Sequence, residues 1–507
     1  MSENRKLTIA RDTVIYMLAK AVEAVLGFVT LKAYTSYFDT TLYGRYDLVN
    51  KCVLIIGPIC MLWLQHGVTR YVNTYEAKGE GKSFYSTVFF TWLTIALAVL
   101  VIGGAGLALV TGAFAHVEGV ARFLTDYRPD WLWLALLCIV TYGAGQLVAA
   151  IAGARRRISL SLFISLFSAT MKLLIPVALS QTYGARVEWI LIAWIFCDLV
   201  AALFGSIRLG IWRQVSLSAY SRPLLTLLLA FGVPLIGNFI TTTVLNNSDR
   251  FLIASFADAS QNGVYAANYA IAAAAVTTLT MGASRGSYPN ILKAWSVKDE
   301  ALTVALISQA VRLFLLITLP AVVGLAVLSP RVAALALDEA YHGGALVIPF
   351  VGFGLMLLGL TEYSNKHWEL SANTKVIFRN SAISGAVNIL LNIGLLPRFG
   401  YMAAAVSTFL GFLVYFLLSK LGSHKYIRWT IPWQTYARIF AAAAAMGAGV
   451  LALSVALPAA WYWFPVLVAA GVGIYSVILA VTGELAGEWQ FLRNKLSAIM
   501  GKQKQSK

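Results

Sequence analysis

Six basic side chains stand within long apolar stretches of this sequence: Lys20, Lys32, Lys51, Lys172, Arg250 and Arg312. A charge at the centre of a bilayer costs roughly 2.5–3.5 kcal/mol on insertion scales, so each needs a partner, a wet cavity or a route to the interface. Arginine binds phosphate through paired hydrogen bonds and lysine binds it as a point charge. These residues are therefore candidate ligands for an anionic substrate. For the lysines at positions 32, 51 and 172, which lie toward the ends of apolar stretches, snorkelling to the interface is the alternative.

Acidic side chains occur in the same stretches. Three of them are candidates for binding a proton or a cation, because an intramembrane carboxylate can change charge or ligate an ion: Glu23, Asp47 and Asp198. The alternative for each is an ion pair with a lysine. Lys20 precedes Glu23 by three positions, which predicts a local ion pair on one helix face. Asp249 and Arg250 are adjacent, so we expect them to point in different directions and not to pair with each other.

The elements that position these charges are predicted to be helices. The sequence is 59% hydrophobic and 12% charged, whereas soluble domains carry about 25% charged residues. Apolar stretches of about 20 residues recur, and only helices or closed barrels satisfy the backbone inside a bilayer. Because these stretches are continuously apolar, the sequence predicts an all-α polytopic membrane protein with about fourteen transmembrane helices, near residues 12–34, 47–67, 84–111, 131–153, 158–180, 187–207, 223–256, 263–284, 302–328, 344–362, 377–396, 401–419, 437–457 and 460–482.

Positive charge alternates between successive loops. Of the 39 Lys and Arg residues, 27 fall at the termini and in one set of loops, and six fall in the opposite loops. Because loops rich in Lys and Arg stay in the cytoplasm, both termini and Arg155–Arg157 are predicted to be cytoplasmic, with Asp39–Tyr43 and Asp258–Asn262 outside. The net charge of +17 follows from this pattern, so no nucleic acid is expected as a partner.

One segment of the sequence recurs after 219 positions. Its two copies share four residue types at the same internal spacing: Ser36, Asp39, Gly44 and Tyr46, then Ser255, Asp258, Gly263 and Tyr265. In each copy we expect the Asp to cap the following helix, the Gly to form a turn and the Tyr to lie at the membrane interface. Six predicted helices separate the copies, so both copies cross the membrane in the same direction.

This arrangement indicates parallel repeats of the kind found in transporters, with the substrate path between them. We therefore predict two parallel six-helix lobes around a central cavity, residues 1–222 and 223–436, followed by a C-terminal helix pair and a basic cytoplasmic tail, residues 437–507. The four cysteines and five histidines show no spacing typical of a metal site, and no cofactor or catalytic residue is expected.

Several short motifs resemble the Wzx-type lipid-linked oligosaccharide flippases of the multidrug/oligosaccharidyl-lipid/polysaccharide exporter superfamily. They are Gly67–Tyr71, Phe231–Leu235, Asn246–Phe251, Gly263–Tyr265, Asn388–Asn392, Leu396–Gly400 and Ala403–Ser407. Asp249 and Arg250 match the family motif directly. The resemblance implies a bacterial inner-membrane protein that moves undecaprenyl-diphosphate-linked oligosaccharide from the cytoplasmic to the outer leaflet for O-antigen, capsule or exopolysaccharide synthesis. Lys32 and Arg250, helped by Lys20 and Arg312, would then hold the diphosphate.

Two other functions fit the hydropathy. A multidrug cation antiporter of the same fold would favour an acidic cavity, whereas the intramembrane excess here is basic. A membrane O-antigen polymerase or glycosyltransferase would need a sizeable outer loop, and the longest one here, from about Gly112 to Asp130, is short. The expected partners of a flippase are the lipid-linked oligosaccharide, membrane lipids, a polysaccharide polymerase and glycosyltransferases.

Overall fold

A computed structural model describes residues 3–371, 373–423 and 429–484. These residues form seventeen α-helices: α1 (Glu3–Tyr37), α2 (Thr40–Ala77), α3 (Gly81–Thr111), α4 (Glu118–Asp126), α5 (Pro129–Ala154), α6 (Ile158–Tyr183), α7 (Val187–Arg208), α8 (Arg222–Phe256), α9 (Ala259–Ser296), α10 (Glu300–Val327), α11 (Ser329–Ala336), α12 (Val347–Ser364), α13 (Lys366–Leu370), α14 (Thr374–Phe399), α15 (Tyr401–Ser423), α16 (Trp433–Ala456) and α17 (Phe464–Val481). Short 3-10 helices cover Leu217–Ala219, Glu339–Gly344 and Trp461–Trp463.

Each of the fourteen predicted spans falls on one long helix. Within the described part of the chain, twelve helices are long and apolar enough to cross a membrane. The other two predicted spans correspond to α1 and α8, which are 35 residues long each. The predicted all-α polytopic fold is therefore confirmed. The short helices α4, α11 and α13 lie in the connections between predicted spans.

Contacts divide the chain into two compact units. The first unit comprises residues 1–267, 336–341 and 388–404, and the second comprises residues 268–335, 342–387 and 405–507. The first unit includes residues 223–267, 336–341 and 388–404, which the sequence analysis assigns to the second lobe. The two-lobe organisation stays a prediction.

Helix α5 is central to the first unit, where it packs against α2, α3 and α7. Helix α6 packs on α1 and α7, and α8 packs along α2. Large apolar side chains fill one core of this unit: Leu64, Val68, Phe84, Tyr85, Leu147, Ile151, Leu224 and Leu228. Gly232 lets α8 approach α2 closely, because a Cβ there would overlap the backbone of Trp63. In the second unit, α10 packs against α12 and α16, and α17 packs on α16.

Candidate functional site

Four intramembrane charges meet in a buried cluster of the first unit. Asp47 lies on α2, one turn before Lys51, and Asp249 and Arg250 lie on α8. The Arg250 Nε is 3.4 Å from Asp47 Oδ2, and its Nη1 is 3.0 Å from Asp249 Oδ1. Lys51 Nζ is 3.7 Å from Asp47 Oδ1, so the ion-pair reading of Asp47 is confirmed. We call these four residues the ion cluster.

The charged side chains of the ion cluster are buried between the helices that carry them. Arg250 is 2% exposed, Asp249 1% and Asp47 6%. The phenol of Tyr265, on α9, donates a hydrogen bond to Asp249 Oδ2, and the Arg250 guanidinium lies over the Tyr265 ring, 5.6 Å from its centre. Two carboxylates face two basic side chains, so the formal charges of the cluster cancel, and opposite charges buried together offset part of the cost of desolvation.

The prediction that Asp249 and Arg250 do not pair is wrong. Asp249 Oδ1 accepts hydrogen bonds from both the backbone N–H and the Nη1 of Arg250, at 2.9 and 3.0 Å. Adjacent residues do point to different helix faces, but the long arginine side chain bends back along α8. Its Nη1 also donates to the carbonyl of Asn246, one turn earlier. The guanidinium is therefore engaged by protein groups in this conformation.

The two copies of the repeated segment meet next to the ion cluster. Asp39 Oδ1 accepts from the N–H of Leu42, and Asp258 Oδ1 accepts from the N–H of Gln261, each at 2.7 Å. The predicted helix caps are therefore confirmed in both copies.

The predicted glycine turns are wrong, because Gly44 and Gly263 both lie inside helices, where α2 and α9 cross in direct backbone contact. A Cβ on Gly44 would overlap the carbonyl oxygen of Ala259. A Cβ on Gly263 would overlap the carbonyl oxygen of Thr40.

Lys32 has a protein partner of its own. Its ammonium donates to the carbonyl of Leu337, just after the C-terminus of α11. A cation suits this position because the last carbonyls of a helix carry partial negative charge. The same segment is held at two more points: Thr35 Oγ1 accepts from the N–H of Asp338 at 3.3 Å, and the Tyr341 hydroxyl donates to the carbonyl of Phe38 at 2.7 Å. Lys32 therefore joins α1 to a segment some 300 residues later in the sequence.

Two further predicted lysines lie on α1 and α6. Lys20 forms the predicted ion pair with Glu23 at 2.7 Å, and the Glu23 carboxylate also accepts from the Ser165 hydroxyl on α6. The side chain of Lys20 remains 47% exposed. Lys172 places its ammonium 4.1 Å from the centre of the Trp194 ring, a cation–π contact with α7.

Asp198 differs from the other predicted acids. It is 8% exposed on α7, and no described residue donates a hydrogen bond to its Oδ2. Asp47 Oδ2 likewise accepts no hydrogen bond from a described residue, but Glu23 and Asp47 each have a lysine within 4 Å, which is what separates them from Asp198. Buried carboxylate oxygens are usually hydrogen-bonded, so a bare one is a place where a proton or a cation can bind.

Arg312 belongs to the second unit, apart from the other predicted phosphate ligands. Its Nε is 2.8 Å from Glu484 Oε1, and its Nη2 donates to the Glu484 carbonyl at 2.6 Å. Arg438 lies 3.4 Å from the other carboxylate oxygen. These contacts tie α10 and α16 to the end of α17, so the structure gives Arg312 a packing role. The basic tail predicted to follow Glu484 lies outside the described residues.

The structure thus brings the charges at 47, 51, 249 and 250 together, and holds the other predicted residues at separate places. Sequence reasoning missed Tyr265 as a cluster member and Asn262, which donates to the Gly44 carbonyl at 2.9 Å. Both lie within the second copy of the repeat, residues 255–265, so the repeat itself was the available signal. No group of three His, Cys, Asp or Glu residues suited to a metal occurs among the residues the structure describes.

The fold is similar to that of solved membrane transporters. A solved structure described as lipid II flippase MurJ in an inward closed conformation gives a TM-score of 0.72 at 16% identity, covering 93% of this chain and 99% of that one. An inward-facing multidrug resistance MATE family transporter of the MOP superfamily gives 0.62 at 13% identity, covering 80% and 94%. A MATE protein in complex with MaD3S gives 0.55 at 13% identity, covering 82% and 94%. The chain has the fold of this superfamily of multidrug/oligosaccharidyl-lipid/polysaccharide exporters.

Within that class, residues 9–295 match the family described as polysaccharide biosynthesis protein. The match covers more than half of the 507 residues, and the chain belongs to this family. No curated protein sequence matches the chain. The resemblance inferred from the short motifs is confirmed at the level of this family and of the fold, and the chain is a multi-pass membrane protein.

Proposed function

We propose that the protein flips undecaprenyl-diphosphate-linked oligosaccharide repeat units from the cytoplasmic to the outer leaflet of a bacterial inner membrane. Membership of the polysaccharide biosynthesis family carries this proposal. The fold shared with a structure named as a lipid II flippase supports it, because such a substrate also joins a lipid to a polar head. A polymerase and glycosyltransferases are the partners that would consume and supply the substrate.

The distribution of charge supports an anionic head group. Lys20 is the most accessible of the predicted phosphate ligands, and Lys172 is partly exposed on α6. Lys32, Lys51, Arg250 and Arg312 contact a backbone carbonyl or a buried carboxylate, whereas Lys20 pairs with the partly exposed Glu23 and Lys172 lies over the Trp194 ring. Lys20 and Lys172 are therefore the first residues to test for contact with the diphosphate.

An apolar groove supports a lipid-linked substrate. It lies between α10, α16 and α17 in the second unit and has a volume of about 370 Å³. Side chains without charge line it, including Leu316, Pro320, Val450, Leu467 and Tyr475. A segment of a polyprenyl chain fits such a surface because burying hydrocarbon there covers no charged side chain.

Reconstitution tests the function. Purified protein is placed in liposomes with undecaprenyl diphosphate carrying a fluorescent oligosaccharide, and the fraction of sugar open to an added glycosidase is followed. We expect protein-dependent crossing of the probe, reduced by Lys20→Gln and by Lys172→Gln. Liposomes with ethidium and a cation gradient test the multidrug alternative. Ethidium transport without movement of the sugar lipid would favour the antiporter and reject the flippase.

Coupling to a proton or cation is proposed at Asp198. We expect Asp198→Asn to make the crossing rate insensitive to imposed pH and sodium gradients, because the amide can neither lose a proton nor offer a charge to an ion. Glu23→Gln and Asp47→Asn serve as comparison variants, since both carboxylates already have a cationic partner. An unchanged gradient response in Asp198→Asn would remove the proposal for Asp198, and an unchanged response in all three variants would remove coupling through any of these carboxylates.

The orientation is proposed from loop charge. Single cysteines at Asp39 and Ser159, both exposed, are placed in a background without the four native cysteines. A membrane-impermeant maleimide should label Asp39→Cys in intact spheroplasts and Ser159→Cys only after permeabilisation. Labelling of Ser159→Cys in sealed cells would invert the assigned topology, including the cytoplasmic placement of both termini.

A further inference from the structure

A second apolar groove lies in the first unit, between α3, α5 and α7. It has a volume of about 200 Å³, and the described residues that line it are uncharged. Phe89 and Trp92 line it from α3, Leu147 and Val148 from α5, and Leu203 from α7. Leu203 is 52% exposed, so the rim of the groove faces the surroundings of the protein. A surface of this composition accepts a hydrocarbon chain.

The polar side chains of this groove differ in how they are satisfied. The hydroxyl of Thr141 donates to the carbonyl of Leu137 at 3.0 Å, and the hydroxyl of Ser206 donates to the carbonyl of Ala202. Trp92 Nε1 is buried, and no described residue accepts a hydrogen bond from it. Because the hydrocarbon region of a bilayer holds no water, an unpaired N–H there costs free energy. Trp92 therefore offers a donor to a ligand that is mainly apolar.

The segment that follows α7, residues 209–221, closes one end of the groove. Its Trp212 lines the groove, and the Trp212 ring lies 5.5 Å from the ring of Phe89. Near the start of α3, Ser86 Oγ accepts a hydrogen bond from the backbone N–H of Ser216 at 2.9 Å. This end of the groove is therefore built by contacts between α3 and the segment.

The same segment is basic. It belongs to the loops predicted to be cytoplasmic, and residues 199–248 contain no Asp or Glu. Three arginines within that range, Arg208, Arg213 and Arg222, are exposed, and Arg213 directly follows Trp212. Basic residues beside a membrane attract the anionic lipids of the cytoplasmic leaflet. The groove thus combines an apolar lining, one indole donor and a positively charged end.

We propose that this groove binds an anionic phospholipid of the predicted cytoplasmic leaflet. One acyl chain occupies the groove, an ester carbonyl accepts from Trp92 Nε1, and the phosphate contacts Arg213. Two ring contacts connect these polar groups, Trp212 with Phe89 at 5.5 Å and Phe89 with Trp92 at 5.9 Å. The bound lipid holds residues 209–221 against α3. This proposal goes beyond the proposed function and does not rest on it.

Thermal stability in the presence of added lipid tests the site. The purified full-length protein is melted in detergent with palmitoyl-oleoyl-phosphatidylglycerol or with phosphatidylcholine carrying the same chains. We expect phosphatidylglycerol to raise the melting temperature more than phosphatidylcholine does. Leu203→Trp should remove most of this increase, because an indole placed at the exposed rim fills the groove. Leu97→Trp is the matched control, since Leu97 is 54% exposed on α3 outside the groove, and it should keep the increase.

Two further variants separate the donor from the charge. Trp92→Phe keeps an aromatic ring and removes the N–H, so we expect binding of both lipids, measured by native mass spectrometry, to weaken about two- to ten-fold, as for one lost hydrogen bond. Arg213→Gln should weaken binding of phosphatidylglycerol alone and so remove the preference between the two lipids. Lys375→Gln, at an exposed position in the second unit, should leave that preference unchanged.

Equal stabilisation of the unmodified protein by the two lipids, or a full increase in Leu203→Trp, overturns the proposal. Undecaprenyl phosphate, added in place of the phospholipids, tests the other occupant. If it alone raises the melting temperature and Leu203→Trp removes that increase, the groove takes a polyprenyl chain and the phospholipid site is wrong. No transport is measured, so a protein that moves no sugar lipid counts against the proposed function and leaves these outcomes as they are.

Discussion

Arg250→Gln is expected to lower crossing of the sugar lipid by more than ten-fold and to reduce the thermal stability of the protein. The substitution leaves Asp47 and Asp249 in a buried site with only Lys51 to balance them. Removing one partner of a buried ion pair costs about 3–5 kcal/mol, because the remaining charge stays desolvated. Proteoliposome transport and a melting curve in detergent measure the two effects. Arg186→Gln is the control. Arg186 is exposed and lies in one of the loops that carry few Lys and Arg residues, so this variant should change neither transport nor thermal stability.

A double substitution distinguishes a structural role of Arg250 from binding of the diphosphate. The double variant Asp47→Asn with Arg250→Gln keeps Asp249 and Lys51, so the ion cluster is again neutral. If Arg250 acts through Asp47, we expect the double variant to recover most of the lost stability and part of the transport. If Arg250 binds the diphosphate, restoring neutrality leaves transport as low as in the single variant. That outcome would exclude the hypothesis that Arg250 acts through Asp47. Arg250→Lys should be intermediate, because one ammonium cannot satisfy both carboxylates as a guanidinium does.

The helices could be predicted from the sequence because the bilayer constrains them strongly. A chain that cannot expose backbone polar groups to lipid must form helices wherever apolar stretches are long enough. Predicted spans such as 187–207 and 401–419 therefore agree with α7 and α15 to within a few residues. The helix caps at Asp39 and Asp258 were predictable for a similar reason, since capping depends on residues three positions apart.

The partners of the buried charges could not be predicted in the same way. Lys32 meets Leu337 across 305 positions, and Arg250 meets Asp47 across 203, so neither contact leaves a local pattern. Glycine is common both in turns and at close helix crossings. Residue type alone therefore does not show which of these two roles Gly44 and Gly263 have. The 219-residue offset between the two copies is the sequence feature that could have indicated the contact of Gly44 and Gly263. A local two-fold axis between the two copies places them against each other.

The most specific consequence of that symmetry concerns the two glycines. Gly44→Ala and Gly263→Ala each introduce a Cβ that overlaps a backbone carbonyl of the opposite helix, which cannot move aside as a side chain can. Overpacking of this kind costs about 1–3 kcal/mol. We expect either variant to lower the melting temperature of the protein in detergent and to lower crossing of the sugar lipid at least ten-fold.

The control is Gly106→Ala on α3, where the added Cβ meets nothing within 4 Å and alanine stabilises the helix by about 1 kcal/mol. This variant should express well and transport normally. Because the crossing is isologous, Gly44→Ala and Gly263→Ala should have effects of similar size, although they lie on different helices in different halves of the sequence. A large effect for one and none for the other would mean that the two sides of the crossing are not equivalent.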